Sequence, residues 1–302
     1  MASLLAYLEY FFAGYAALIV FFYMLSLVIP KAAFVARSLA SYIALLASTM
    51  FGVFISIAMR LVGWTHSAQW AAGRSFKYLM ALMTGITFVV EDPKDTLNTL
   101  RPAVFIGNHQ TELDVLMLGC MFPKHCSMTA KSSLKKTPFL GWFMTLSGCI
   151  FINRVNTKDA RNVMAGAADE IRSKRQSVYL FPEGTRSYAK EPSLLPFKKG
   201  AFHLAIQAQV PIVPCVVANY SHIFSIKGFE FNAGTVPVKV LDPIPTAGLT
   251  AADVDELART TRELMLKELM ELTARVRGQA LPAAKHTNGA VRASGVDMKV
   301  AA

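Results

Sequence analysis

Two long runs with almost no charge open the chain. Leu4 to Ile29 is predominantly apolar with Glu9 as its one charge, and Leu39 to Met59 has none, with Arg37 and Arg60 at its borders. Each approaches the ~20 residues that carry a helix across a bilayer. The pattern predicts two membrane helices joined by a short turn holding Lys31 and Arg37. A hairpin that enters one leaflet only is the alternative. A signal peptide fits less well: the run lacks a basic start and a small-residue cleavage site, and a second apolar run follows at once. Basic residues on the two flanks nearly balance, so charge does not set the orientation.

Trp64 to Thr84 reads as an amphipathic helix, with Trp64, Trp70, Phe76, Tyr78, Leu79, Leu82 and Met83 interleaved with His66, Arg74 and Lys77. Such a helix suits either a membrane interface or the flank of a domain. From Ile86 the apolar runs shorten. Strands are expected at Ile86–Val90, Ala103–Ile106, Cys126–Thr129, Cys149–Ile152, Val178–Phe181, Ile212–Val217 and Val236–Val240. Helical spacing lies between most of them, at Glu112–Met121, Pro138–Leu146, Ala160–Lys174 and Ala201–Ala208. Strands alternating with helices indicate an α/β domain on a mostly parallel sheet. Thr250 and Asp253 form an N-cap signature for a charged helix to about Arg277, with Leu257, Leu264, Met265, Leu269 and Leu272 as its apolar stripe. Residues 278–302 hold few large apolar groups and are expected to be disordered. The chain thus divides into a hairpin (1–62), a domain with a C-terminal helix (63–277) and a tail (278–302).

Composition narrows the function. Of 302 residues, 53% are hydrophobic and 17% charged, against the ~25% charged of an ordinary soluble protein. The formal net charge of +11 suits anionic membrane surfaces or acidic ligands. No segment resembles a nucleic-acid module. Cys120, Cys126, Cys149 and Cys215 are scattered without metal-ligand or disulfide spacing, so they read as buried, reduced thiols. No metal or cofactor is expected.

The chemistry gathers around Gly107–Asp114, GNHQTELD. His109 sits between the strand Ala103–Ile106 and a helical pattern that begins near Asp114. On one continuous helix residues five apart would lie about 140° apart, so only a turn can bring the two together. A carboxylate on one imidazole nitrogen fixes the tautomer and leaves the other to take a proton. Alone, this spacing is more simply a satisfied histidine beside a helix-capping acid. Three further blocks change the balance: Gly148–Arg154 (GCIFINR), Phe181–Ser187 (FPEGTRS) and Val210–Pro214 (VPIVP). In the second of these, Arg186 offers a planar fork that matches phosphate, and Thr185 and the backbone near Gly184 can add donors. Glu183 is odd beside a phosphate unless it binds a hydroxyl or pairs with Arg186.

In order and spacing the four blocks resemble the glycerolipid acyltransferase family, over roughly Phe88 to Leu241. The resemblance implies a mostly parallel mixed sheet flanked by helices, as in glycerol-3-phosphate acyltransferase. It implies transfer of a fatty acyl group from acyl-CoA, as co-substrate, to the sn-2 hydroxyl of lysophosphatidic acid, giving phosphatidic acid. Glycerol-3-phosphate or another lysophospholipid is the alternative acceptor, and a non-catalytic membrane scaffold a weaker reading. His109 would be the base, oriented by Asp114. Arg154, Glu183, Gly184, Thr185 and Arg186 would hold the acceptor phosphate, with Lys131 in AKSSLKKTPFLGW as a third cation. Two arginines can neutralise the −1.5 to −2 charge of a phosphate monoester. The blocks contain no obvious covalent nucleophile and the chain no G-x-S-x-G elbow, so direct attack by the hydroxyl is expected. The family commonly has a small polar residue where Glu112 stands; the carboxylate is either an exposed helix-start charge or a bias on acceptor choice. VPIVP would support the acyl chain, or be a plain buried strand. Likeness to eukaryotic, fungal members suggests an integral protein of the endoplasmic reticulum membrane.

Overall fold

A computed structural model describes residues 2–153 and 157–279. Helices α1 (Ala2–Leu25) and α2 (Ala32–Leu61) form the N-terminal hairpin, and both are long and apolar enough to cross a membrane. No residue of α1 from Ser3 to Leu25 is buried. Helix α2 differs. Ala32, Ala36, Ala40, Ala44, Ser48, Gly52 and Ser56, spaced by four, form a buried stripe of small side chains. Side chains four apart share one helix face, and a small-residue face lets another helix approach closely. Helix α3 (Ala68–Thr84) occupies that face along with α6 (Leu140–Leu146), whose Phe143 ring covers Gly52. Arg37, expected in the inter-helix turn, lies inside α2. Its Nε donates to the Thr84 carbonyl (3.0 Å) and its Nη1 to that of Phe231 (2.8 Å). The second apolar helix is therefore anchored to the domain.

A single turn of 3-10 helix (Thr65–Ser67) leads into α3. Ala68, Ala72, Phe76 and Met80 of α3 are buried, while Tyr78 and Leu82 point outward at 66% and 83% exposure. The helix packs one face on the domain, as the domain reading expects, and its outward face carries the exposed apolar side chains that a membrane interface would use.

The domain alternates as the pattern predicts. In chain order it runs β1 (Ile86–Glu91), α4 (Thr96–Thr99), β2 (Val104–Gly107), α5 (Asp114–Met121), β3 (Cys126–Lys131), α6, β4 (Ile150–Ile152), α7 (Thr157–Lys174), β5 (Ser177–Leu180), α8 (Gly200–Ala208) and β6 (Ile212–Val217). A small hairpin, β7 (Phe224–Ser225) and β8 (Glu230–Phe231), precedes β9 (Gly234–Val240) and α9 (Val254–Arg277). The hairpin and α4 were not foreseen: each is too short to show a period. The seven-stranded sheet has the order β1-β9-β6-β2-β5-β3-β4 and is parallel except between β6 and β9. Every residue of β2, β5 and β6 is buried, as expected of central parallel strands covered on both faces.

Helices α3 and α5 pack on each other and on β1, while α8 and α9 pack on each other and on β2, β6 and β9. The α3–α5 contact is backbone on backbone: a Cβ added to Gly119 would stand 2.6 Å from the Gly73 carbonyl oxygen. Helix α9 begins with the expected capping box of Thr250 and Asp253. Its stripe holds at Leu257, Met265, Leu269 and Leu272, but Leu264 is 43% exposed, one position off the buried face. Residues 280–302, and with them nearly all of the predicted tail, lie outside the described residues. The four cysteines are unpaired, three of them buried, and burial pushes the Cys149 thiol up to about 12.

Candidate active site

Strand β2 ends at Gly107 in the middle of the sheet, and a six-residue turn carries the chain into α5. Asn108 secures this turn to the end of β6: its Nδ2 donates to the Val217 carbonyl (3.0 Å) and its Oδ1 accepts from the Val217 N–H (2.8 Å). Gln110 Nε2 donates to the Ala218 carbonyl at 3.0 Å. These amides extend the β2–β6 ladder with side chains, which fixes where residue 109 emerges.

His109 Nδ1 and Asp114 Oδ2 are 2.7 Å apart. The same Oδ2 accepts from the backbone N–H of Gln110 (2.6 Å) and Thr111 (3.1 Å). The other carboxylate oxygen accepts from the Tyr220 hydroxyl at 2.7 Å, and that hydroxyl also contacts Thr111 Oγ1 at 2.9 Å. Asp114 is fully buried. A buried carboxylate is expensive unless its oxygens are satisfied, and here both are. Burial and the adjacent Asp114 charge push the Tyr220 phenol well up, so it remains a donor to the carboxylate. The imidazole stacks on Phe181, with centroids 4.1 Å apart and planes 14° apart. Its side chain is 15% exposed. With Nδ1 committed to the carboxylate, Nε2 is the nitrogen left to accept a proton.

The second block follows β5 directly. Glu183 is nearly buried; its Oε1 accepts from the His109 N–H (2.7 Å) and its Oε2 from the Leu195 N–H (2.9 Å). Burial raises its carboxyl, an effect those two N–H groups partly offset. Glu183, expected among the phosphate residues, has both oxygens engaged by backbone N–H groups and braces the turn beneath His109. Gly184 takes a left-handed φ of +70°, which costs glycine little. Beyond it the chain runs beside the first block, with the Ser187 N–H on the His109 carbonyl (3.0 Å) and the Tyr188 N–H on that of Gln110 (3.1 Å). The two blocks, more than seventy residues apart in sequence, are thus sewn together by backbone bonds.

That stitching brings Arg186 to the rim. Its Nη1 donates to Glu112 Oε1 at 2.8 Å, and the Tyr188 hydroxyl donates to the same oxygen at 2.6 Å. Thr185 and Arg186 are both exposed. Lys198 reaches over the turn: a Cβ on Gly184 would sit 2.9 Å from its Nζ. Lys131 is exposed at the end of β3, where it pairs with Ile152 of β4. Arg154 lies outside the described residues. In VPIVP, Val210, Ile212 and Val213 are buried, which is the plain reading of a central strand.

Tyr220, Phe181, Tyr188 and Lys198 were not singled out from the sequence. Only Phe181 had a signal, as the first residue of FPEGTRS. An apolar cavity of about 100 Å³ opens between α2, α3, α5 and α6, lined among others by Leu45, Phe76, Leu118, Phe143 and Met144. It reaches Val115, the next residue along α5 from Asp114.

The family model described as Acyltransferase matches residues 88–218. A 1-acyl-sn-glycerol-3-phosphate acyltransferase of Saccharomyces cerevisiae is 42% identical over 81% of this chain and 80% of its own length. The chain belongs to the acyltransferase family that this relative represents, and it is an enzyme of the 1-acylglycerol-3-phosphate O-acyltransferase class. The human relative named 1-acyl-sn-glycerol-3-phosphate acyltransferase beta is 40% identical over 79% of the chain and 77% of its own length. The fold is similar to that of the crystal structure of the 1-acyl-sn-glycerophosphate (LPA) acyltransferase, PlsC, from Thermotoga maritima. That match has a TM-score of 0.65 at 22% identity and covers 80% of this chain and 96% of the other.

Proposed function

We propose that this acyltransferase moves a fatty acyl group from acyl-CoA to the sn-2 hydroxyl of 1-acyl-sn-glycerol-3-phosphate, giving phosphatidic acid and free CoA. The observation that carries the reading is the His109–Asp114 pair, 2.7 Å apart, on the same rim as Arg186. His109 Nε2 takes the hydroxyl proton as the oxygen attacks the thioester carbonyl; the C–S bond breaks and the proton passes to the departing thiolate. Asp114 holds the ring and stabilises its protonated form, as the acid does in a Ser-His-Asp triad. Arg186, with Lys131 and Arg154, binds the acceptor phosphate, and the apolar cavity receives acyl chain. The relatives' names support the acceptor. Purified protein given acyl-CoA and lysophosphatidic acid should release thiol and phosphatidic acid in equal amounts; thiol release without phospholipid would make it a thioesterase.

The N-terminal helices support work at a membrane, with the endoplasmic reticulum as the expected one. The packing favours a hairpin seated in one leaflet. Were α2 to cross the bilayer, α3 would be carried in beside it with Arg74 and Lys77, and each such charge costs about 2.5–3.5 kcal/mol at the centre of a spanning helix. A label in the turn at Lys31 tests this: accessibility from the same side as the domain supports one-leaflet seating, and from the opposite side supports crossing.

A further inference from the structure

Arg186 is already occupied. Its guanidinium donates to Glu112 at 2.8 Å, and the Tyr188 hydroxyl lies 2.6 Å from the same carboxylate oxygen and 3.2 Å from Arg186 Nη1. Glu112 and Arg186 are each about two-fifths exposed, at 43% and 40% of their side chains, so an incoming anion can reach them. Glu112 lies in the same turn as His109, and the backbone bonds of Ser187 and Tyr188 to that turn hold the carboxylate and the guanidinium in mutual reach.

We propose that Glu112 is an internal stand-in for the acceptor's phosphate, setting the enzyme's affinity for its phosphorylated substrate and product. The inference rests on the reading of Arg186 as a phosphate ligand. A phosphate that takes the guanidinium competes with the carboxylate for Nη1 and for the charge, and Tyr188 can retain the displaced carboxylate through its hydroxyl. Because the acylated product carries the same phosphate, returning Glu112 to Arg186 helps expel it. The competition falls equally on ground state and transition state, so it acts on KM and on product release rather than on the chemical step.

The test measures acceptor KM at saturating acyl-CoA for the native enzyme, Glu112→Gln and Glu112→Ser. An exposed pair of this kind is worth a modest factor, so the acceptor KM should fall about two- to fivefold. Inhibition by phosphatidic acid should strengthen by a similar factor, with acyl-CoA KM unchanged. In an Arg186→Ala background the Glu112→Gln gain should vanish, which a purely structural Glu112 would not produce. Inorganic phosphate, titrated as a ligand against thermal unfolding, should bind Glu112→Gln more tightly than the native chain. An unchanged or raised acceptor KM together with unchanged phosphate binding would overturn the proposal and make Glu112 a support for Arg186. If phosphate binding tightened while the native enzyme failed to acylate lysophosphatidic acid, the stand-in would survive and the acceptor assignment would fall.

Discussion

The two halves of the rim are built on opposite plans. On the base side, Asp114 is fully buried and its two oxygens meet an imidazole, two backbone N–H groups and a phenol. On the side proposed for phosphate, Arg186 is partly exposed with one carboxylate partner and a longer phenol contact. The first arrangement has no freedom left to spend, so the imidazole meets each substrate in one tautomer and one orientation. The second is held loosely, as the proposed phosphate role asks of a ligand that comes and goes. On that proposal, rigidity is placed where a proton moves and exchangeability where a product leaves.

That contrast can be broken at its rigid end first. Replacing His109 with Ala should lower kcat by about 10³-fold or more while expression and membrane association persist, as expected for loss of a general base. Arg186→Ala should act on the other coordinate. Losing a charged hydrogen bond to phosphate should raise acceptor KM about 10- to 100-fold with kcat changed far less; an unaltered KM at near-normal rate would remove Arg186 from phosphate binding. Tyr220→Phe sharpens the comparison, since it deletes one donor to Asp114 and leaves three. Its kcat should drop by about 3- to 10-fold with both KM values held; a change in KM alone would place Tyr220 outside the positioning of the base. Deleting residues 280–302 should alter initial rates least, by less than about twofold, because so few of its side chains are of the large apolar kind that docking requires.

Much of this was legible from the order of residues. All seven long strands appear where apolar runs stood between turn formers, displaced at their ends by no more than about three residues. The His109–Asp114 pairing followed from a strand–turn–helix pattern around a five-residue spacing. What escaped were partners supplied from far along the chain. Tyr220 lies 106 residues from Asp114 and looks like one more core aromatic, since nothing local marks a buried hydroxyl. The inward turn of Glu183 toward the N–H groups of His109 and Leu195 was not legible either, since Thr185 and Arg186 just beyond it are exposed. Helix α2 read as a lipid-facing span because alanine, serine and glycine score as bland in a hydropathy window; only their spacing of four shows that one side is reserved for protein.

That seam of small residues has a practical consequence. The wall of the apolar cavity includes Leu45, Ser48 and Thr49 of α2, so trimming the N-terminus to obtain a freely soluble enzyme would tear away one side of the very compartment next to Asp114. Hairpin and domain share one packed seam, so a change in how α2 sits is felt at the wall beside Val115.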